Sequence, residues 1–191
     1  MSGGAAHDPN VLPPDLPVPE DDGAATHLPG LALPPFELAA TDGSTVRLDR
    51  LEGPTIVYAY PRTGRPGEDP LVPDWDLIPG ARGCTPETCG FRDHHAELQA
   101  AGAAEVFGLS AQDSDYQREV VDRLQLPFPL LSDEDLELTK ALRLPTFEAA
   151  GQTLIKRLTL VVNEGSIEHV FYPVFPPDRH AEEVLAWLRA G

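Results

Sequence analysis

The chain has 191 residues, of which 41% are hydrophobic and 24% are charged. This length and composition suit one globular domain with an apolar core, and no apolar run approaches the roughly 18 residues of a membrane-spanning helix. The formal net charge of −17 repels nucleic-acid phosphates and anionic membrane surfaces, so neither is an expected partner. The N-terminus carries no secretory signal, which favours a cytoplasmic location.

Proline dominates the first 35 residues, which hold eight prolines and five acidic residues but no lysine or arginine. Because proline removes an amide donor and fixes φ, such a segment cannot form a helix or a central strand. We therefore predict an extended, mostly disordered tail over 1–28, followed by a single domain over 29–191. The tail is either an idle solubilising segment or an arm that wraps its own domain or a dimer partner.

From about residue 30, β-branched and aromatic runs alternate with amphipathic segments of helical period. In chain order we predict a hairpin over 36–48, a buried strand over 55–60, a long loop over 62–83, a helix over 85–100, a strand over 106–109, a helix capped by Ser114, a strand over 128–131, a helix ending at 142, a hairpin over 158–171 and a helix capped by Asp178. This alternation predicts a mainly parallel sheet with an antiparallel edge. The expected fold is α/β and thioredoxin-like, with a central mixed sheet, flanking helices and an N-terminal β-hairpin extension.

Two cysteines lie where the long loop becomes a helix. Thiols in a reducing compartment are seldom structural disulfides, so this pair indicates catalysis or metal binding. Thr85 is the expected N-cap and Pro86 fits the first helical position. Cys84 then lies at the positive end of the helix, where the helix dipole lowers the pKa of a thiol.

The spacing of Cys84 and Cys89 predicts a switch rather than a permanent crosslink. Five residues of intact α-helix separate two Cα atoms by roughly 8.7 Å, which exceeds the roughly 7 Å limit for a disulfide. A disulfide between them therefore requires the first helical turn to unwind. Two unrelated free thiols are an alternative, and a zinc site with His94 and His95 lacks the usual Cys-x-x-Cys spacing.

The segment Gly83-Cys-Thr-Pro-Glu-Thr-Cys-Gly-Phe-Arg-Asp93 resembles the active-site helix of peroxiredoxins of the bacterioferritin-comigratory, or Q-type, subfamily. Residues 128–133 and 157–165 resemble two later segments of that family, so the resemblance extends over about 28–190. It implies a thiol peroxidase that reduces hydrogen peroxide or organic hydroperoxides without a cofactor or metal. A thioredoxin-like reductant would recycle the enzyme. The protein itself is expected to be a monomer or dimer.

The same resemblance assigns roles to three residues. Cys84 matches the peroxidatic cysteine, which attacks peroxide as a thiolate and becomes a sulfenic acid. Cys89 matches the resolving cysteine found on the same helix in part of the subfamily. Arg157 matches an arginine that would hold the thiolate and bind the charge that develops on the leaving oxygen.

One departure from the family pattern lies in the 62–83 loop, which we interpret as an insertion. The family packs Pro-x₃-Thr-x₂-Cys into eight residues, but here Ala81 stands where threonine is expected and Leu77 where proline is expected. We hypothesise that Thr63 folds back to supply the missing hydroxyl, with Pro61 shielding the thiol. Alternatively the hydroxyl is absent or comes from Thr85, and activity is weakened.

Two other functions remain open at this point. A peroxidase-weak redox sensor or thiol–disulfide exchanger could use the same fold, with a slow thiol of ordinary pKa. A protein-binding module could use the insertion and the tail, with vestigial cysteines. Glu87, Arg92 and Asp93 are expected to support the helix through local ion pairs.

Overall fold

The structure, a computed structural model, describes residues 7–191. The first six residues of the tail predicted over 1–28 therefore lie outside the described residues. Its strands are β1 (Leu38–Ala40), β2 (Thr45–Val46), β3 (Thr55–Ala59), β4 (Glu105–Ser110), β5 (Leu130–Ser132), β6 (Thr146–Ala149), β7 (Gln152–Ile155), β8 (Leu158–Asn163) and β9 (Ser166–Phe171). Its helices are α1 (Cys84–Asp93), α2 (His95–Ala100), α3 (Ser114–Leu124), α4 (Glu137–Leu142) and α5 (His180–Ala190).

Seven strands form one mixed sheet in the order β2-β1-β5-β4-β3-β8-β9. The pairs β3–β4 and β4–β5 are parallel, and the other neighbours are antiparallel. The predicted N-terminal hairpin pairs β1 with β5 and makes β2 one edge of the sheet, and the predicted last hairpin supplies β8 and the other edge, β9. The predicted fold class, a mixed α/β sheet flanked by helices, is confirmed.

Strand β3 lies inside the sheet, between β4 and β8, and its Thr-Ile-Val-Tyr-Ala run buries side chains on both faces. It pairs with β8 in a register that sets Ala59 opposite Leu158. The residue before Leu158 is Arg157, so this register brings that arginine to the carboxyl end of β3. The pairing of β3 with β8 thus fixes the position of Arg157 without any contribution from a loop.

Helix α1 is anchored to the sheet by aromatic packing. The rings of Tyr58 and Phe91 stack with centroids 4.3 Å apart, and both residues are fully buried. The Tyr58 hydroxyl donates to Thr88 Oγ1 over 3.3 Å. Burying one large aromatic or aliphatic side chain contributes about 1.5–3 kcal/mol, so these contacts hold the first turns of α1 above the carboxyl end of β3.

Several predicted boundaries were wrong. The single helix expected over 85–100 is broken at His94, whose backbone N–H donates to the carbonyl oxygens of both Gly90 and Arg92. The cap of α3 is Asp113 rather than Ser114, since the Asp113 carboxylate accepts the N–H of Tyr116 at 2.8 Å. Asp178 caps no helix and instead lies in a short 3₁₀ turn before α5.

Residues 7–28, called the arm below, lie on the domain and make defined contacts with it. Leu28 is fully buried with Leu33 and Leu38 in one face of the core. Farther towards the N-terminus, the Asp22 carboxylate accepts from the Tyr172 hydroxyl at 2.8 Å and from Lys156 Nζ at 3.1 Å. These contacts differ from the disordered tail that the prolines suggest and favour an arm that wraps its own domain. The proposed division at residue 28 stays a prediction.

The long loop also packs rather than projecting into solvent. Trp75 is buried, and its ring lies 6.2 Å from that of Phe147 on β6. Strands β6 and β7, which receive this loop, form a separate hairpin that the sequence did not indicate. Within 7–191, no helix is long and apolar enough to cross a membrane.

Candidate active site

The site begins at Gly83, the N-cap of α1, which has a left-handed φ of +109°. An added Cβ there would lie 2.4 Å from Pro177 Cγ and 2.9 Å from Leu12 Cδ1. Only glycine meets both demands, and the chain can therefore turn sharply into α1 under two covering side chains. The predicted cap Thr85 is instead a buried residue inside the first turn, because the helix starts at Cys84.

Gly83→Ala is expected to lower the free energy of unfolding by about 2–4 kcal/mol, the sum of left-handed backbone strain and overpacking. Gly43→Ala is the matched control, because φ is +87° there and an added Cβ meets no atom within 4 Å. The difference between the two variants in denaturant unfolding isolates the packing contribution. Equal losses would mean that Leu12 and Pro177 move aside freely.

The thiol of Cys84 is the centre of the site. Cys84 is 4% exposed, and Arg157 Nη2 lies 3.2 Å from its Sγ. As a thiol, Cys84 donates to the carbonyl oxygen of Ala81 at 3.7 Å. The structure thus brings Cys84 and Arg157 together, with the guanidinium positioned to stabilise negative charge on sulfur.

Arg157 also shapes the loop that precedes the thiol. Its Nη2 lies 3.2 Å from each of the carbonyl oxygens of Gly80, Ala81 and Arg82, which share its two N–H donors with the Cys84 sulfur. Arg157 is only 3% exposed. Burial by itself would lower its pKa, but the Cys84 and Glu87 acids beside it raise that pKa, so the guanidinium stays charged. One buried cation therefore fixes the loop and faces the thiol.

Glu87 lies in this site, and the sequence analysis did not place it there. We expected a local ion pair on the helix, but its side chain is 1% exposed, and its Oε1 lies 3.3 Å from Arg157 Nη1. The two groups attract each other without aligning as a hydrogen bond. Burial raises the pKa of the Glu87 carboxyl, and the nearby Arg157 opposes that rise.

The pKa of the Cys84 thiol is raised, mainly by burial. Arg157 lowers it, the Glu87 carboxylate raises it further, and the backbone N–H of Arg62 lowers it. The helix N-terminus alone suggested a lowered pKa. Loss of solvation outweighs the favourable charge in this closed arrangement, because an anion is costly away from water.

Cys89 lies one and a half turns further along the same intact helix. Both cysteines are free thiols, with Cys84 buried and Cys89 half-buried. Burial raises the pKa of Cys89, and Arg92 opposes that rise. The intact helix keeps the two sulfur atoms on different parts of its surface, so a bond between them requires α1 to unwind.

Thr63 is fully buried, and its hydroxyl donates to Gln112 Oε1 at 3.1 Å. Gln112 Nε2 and the Tyr116 hydroxyl both donate to the Thr63 carbonyl oxygen. The neighbouring residue, Arg62, presents its backbone N–H to the thiol. Arg62 is thus in contact with Cys84, whereas the hydroxyl of Thr63 is engaged by Gln112. The proposed role of Thr63 stays a prediction.

A cavity of about 470 Å³ opens next to Arg157. Its walls are mostly apolar and come from the arm, the long loop and the segment after β9, as in Val18, Ile78 and Val174. No cluster of His, Cys, Asp and Glu within 7–191 is arranged to hold a metal ion. The reactive group that the contacts define is a buried thiol beside a guanidinium.

A cysteine at a helix N-terminus, in contact with an arginine at the end of a strand of a mixed sheet, is the arrangement of a thiol-dependent redox protein with a thioredoxin-like fold. The sequence profile of the Redoxin family matches residues 28–185. The chain is 31% identical over 187 residues to peroxiredoxin Q, chloroplastic, of Sedum lineare, covering 97% of this chain and 90% of that one. The chain belongs to the redoxin family, as the resemblance to Q-type peroxiredoxins predicted.

Two further comparisons agree. Peroxiredoxin Q, chloroplastic, of Oryza sativa subsp. japonica is 34% identical over 163 residues, which are 84% of this chain and 66% of that protein. The crystal structure of peroxidoxin BcpB from Mycobacterium tuberculosis superimposes with a TM-score of 0.68 at 27% identity, covering 86% of this chain and 98% of that one. The predicted class, an oxidoreductase of the peroxiredoxin type, is confirmed.

Proposed function

We propose that the protein is a thiol peroxidase that reduces hydrogen peroxide or organic hydroperoxides. The observation that carries the proposal is the 3.2 Å contact between Arg157 Nη2 and Cys84 Sγ, with both side chains buried. Relatives named peroxiredoxin Q support it, as does the solved structure of a related peroxidoxin. The cavity beside Arg157 gives room for the organic part of a larger hydroperoxide.

The first step is nucleophilic attack. The Cys84 thiolate forms a bond to the terminal peroxide oxygen and becomes a sulfenic acid, while the O–O bond breaks. The departing hydroxide or alkoxide takes a proton from solvent to give water or alcohol. Arg157 stabilises the thiolate before attack and the charge on the leaving oxygen during it, which is the usual contribution of a preorganised donor.

Resolution and recycling complete the cycle. The Cys89 sulfur attacks the sulfenic acid at Cys84, an S–S bond forms, and water leaves with the proton of the Cys89 thiol. A thioredoxin-like reductant then exchanges its two thiols with this disulfide. Thr63 would bind the peroxide if its hydroxyl turned from Gln112 to the site. No step uses a cofactor. The proposed location is cytoplasmic, and the proposed oligomeric state is a monomer or dimer.

Cys89→Ser is expected to leave the first oxidation unchanged and to abolish the internal disulfide. After mixing reduced protein with hydrogen peroxide, mass spectrometry should show loss of two thiols in the natural chain and a trapped sulfenic acid at Cys84 in the variant. In Cys84→Ser, the remaining thiol, Cys89, should react with hydrogen peroxide as slowly as free cysteine does. Thiol loss in the natural chain at the rate of a free cysteine would refute peroxidase function.

A second function, a slow redox sensor or thiol–disulfide exchanger, is favoured by two specific observations. Burial raises the pKa of Cys84, and Ala81 supplies no hydroxyl three residues before it. Such a protein would oxidise slowly with peroxide but exchange readily with a disulfide reagent. The ratio of these two rates, measured on the same reduced sample, separates the sensor from the peroxidase.

A further inference from the structure

The arm meets the chain immediately before Cys84, through contacts that we call the clamp. The Arg82 guanidinium donates through Nη2 to the carbonyl oxygens of Asp8 at 2.6 Å and Val11 at 2.8 Å. Its Nη1 pairs with the Asp76 carboxylate at 2.8 Å. The Leu12 side chain covers Gly83 so closely that an added Cβ would collide with it.

The clamp is built from specific contacts rather than from loose surface packing. The Arg82 side chain is only 7% exposed. A turn in the arm, closed by Val11 N–H to the Asp8 carbonyl oxygen at 3.2 Å and by Asn10 N–H to the Asp8 carboxylate, directs two carbonyl oxygens at Arg82. Hydrogen bonds made by a charged donor with little access to water are the strongest that side chains commonly form.

The clamp lies where α1 must open. Glu87 N–H donates to the Gly83 carbonyl oxygen at 3.0 Å, which closes the first helical turn. Unwinding that turn to bring Cys84 to Cys89 moves Gly83 and Arg82. Arg157 holds the carbonyl of Arg82 from inside, and the arm holds its side chain from outside. Opening therefore costs the clamp contacts, whereas attack on peroxide by Cys84 needs no unwinding of that turn.

We propose that the arm is a brake on resolution: it holds the first turn of α1 closed and slows formation of the Cys84–Cys89 disulfide without slowing the first oxidation. This rests on the proposed function of the two cysteines. The sulfenic acid at Cys84 then persists longer. A second peroxide molecule can oxidise it to sulfinic acid, with one oxygen passing to sulfur and water or alcohol leaving.

The test uses two variants of the full chain and one control. Arg82→Met removes the hydrogen bonds to the arm, and Leu12→Ala removes the cover over Gly83. Val11→Ala is the control, because Val11 is 53% exposed and only its backbone N–H and carbonyl groups serve the clamp. Rapid quenching after peroxide addition, followed by mass spectrometry, separates the peroxide-dependent step from the peroxide-independent disulfide step.

Each clamp variant is expected to speed the disulfide step by at least about fivefold, the effect of losing roughly 1 kcal/mol of hydrogen bonding or packing. The sulfinic fraction at high peroxide should fall, while the first step and the Val11→Ala control stay within twofold of the natural chain. Disulfide rates unchanged in both Arg82→Met and Leu12→Ala would overturn the brake, although peroxidase function would stand.

A second measurement keeps the two proposals separate. Hydrogen exchange of the Glu87 amide in the reduced protein reports opening of the first turn and needs no redox chemistry. Exchange should be faster in both clamp variants than in the Val11→Ala control. If Cys84 of the natural chain did not react with peroxide, the proposed function would fail, while this exchange would still support or refute the clamp.

Discussion

Arg157→Met is expected to slow the reaction of Cys84 with hydrogen peroxide by at least about a hundredfold, as loss of one preorganised donor commonly does. Methionine keeps most of the apolar stem but removes the charge 3.2 Å from the Cys84 sulfur. The thiol pKa should rise, since Arg157 is the main group that lowers it. Stopped-flow oxidation as a function of peroxide concentration measures the rate constant of Cys84. Thiolate absorbance as a function of pH measures the pKa of its thiol.

The same substitution is also expected to destabilise the fold, since it leaves the buried Glu87 carboxylate without its cation. Breaking one partner of a buried ion pair costs about 3–5 kcal/mol. Adding Glu87→Gln should therefore recover stability without recovering the rate. Arg50→Met, at an exposed arginine, is the control for loss of an arginine. A double variant that regained the peroxide rate would show that Arg157 acts only through stability.

The helix start at Cys84 and the two strands beside it were predictable because their signals are local. Pro86 and the residues around it mark the start of a helix at the cysteine, and β-branched runs mark β3 and β8. Arg157 precedes β8 directly, but the predicted strands alone gave no pairing of β3 with β8 and did not bring it towards Cys84. The family resemblance supplied the pairing of Arg157 with Cys84, and the register of β3 with β8 explains it.

Glu87 was missed because its burial is decided elsewhere in the chain. An acidic residue in the first turn of a helix is ordinarily a solvated partner of the helix dipole. Here, Arg157 approaches from the sheet and makes the buried carboxylate tolerable. Sequence pattern records only the helix position of Glu87 and not the cation that arrives from β8.

The β6–β7 hairpin was missed, and the packing of the arm was only one of two alternatives, for different reasons. The hairpin turns on Ala150 and Gly151, both at positive φ, and alanine gives no turn signal because it seldom adopts that conformation. In the arm, prolines exclude helices and strands but not packing. Single apolar residues such as Leu12 and Leu28 carry the contacts, and they form no periodic pattern that a sequence reading could detect.

Glu87→Gln is expected to shift the pH profile of Cys84 oxidation to lower pH. Arg157 is a single buried cation shared by two acids, so ionisation of either acid opposes ionisation of the other. Glutamine removes the competing carboxylate, and the pKa of the Cys84 thiol should fall. Below that pKa, each unit of decrease gives about tenfold more thiolate. The rate at acidic pH should rise severalfold, while the plateau at high pH falls slightly because a less basic thiolate is a weaker nucleophile.

The free energies of unfolding of the natural chain and of Glu87→Gln should diverge as pH rises. Burial raises the pKa of Glu87 in the folded state, so its contribution to stability is present at low pH and is lost as pH rises through that pKa. Glu87→Gln should therefore gain free energy of unfolding relative to the natural chain as pH increases from the acid range to neutrality. Glu134→Gln, at an exposed carboxylate, should change neither profile. A midpoint for Cys84 oxidation that moved to higher pH in Glu87→Gln would mean that Glu87 acts by orienting Arg157, and that the shared charge does not set the acidity of the thiol.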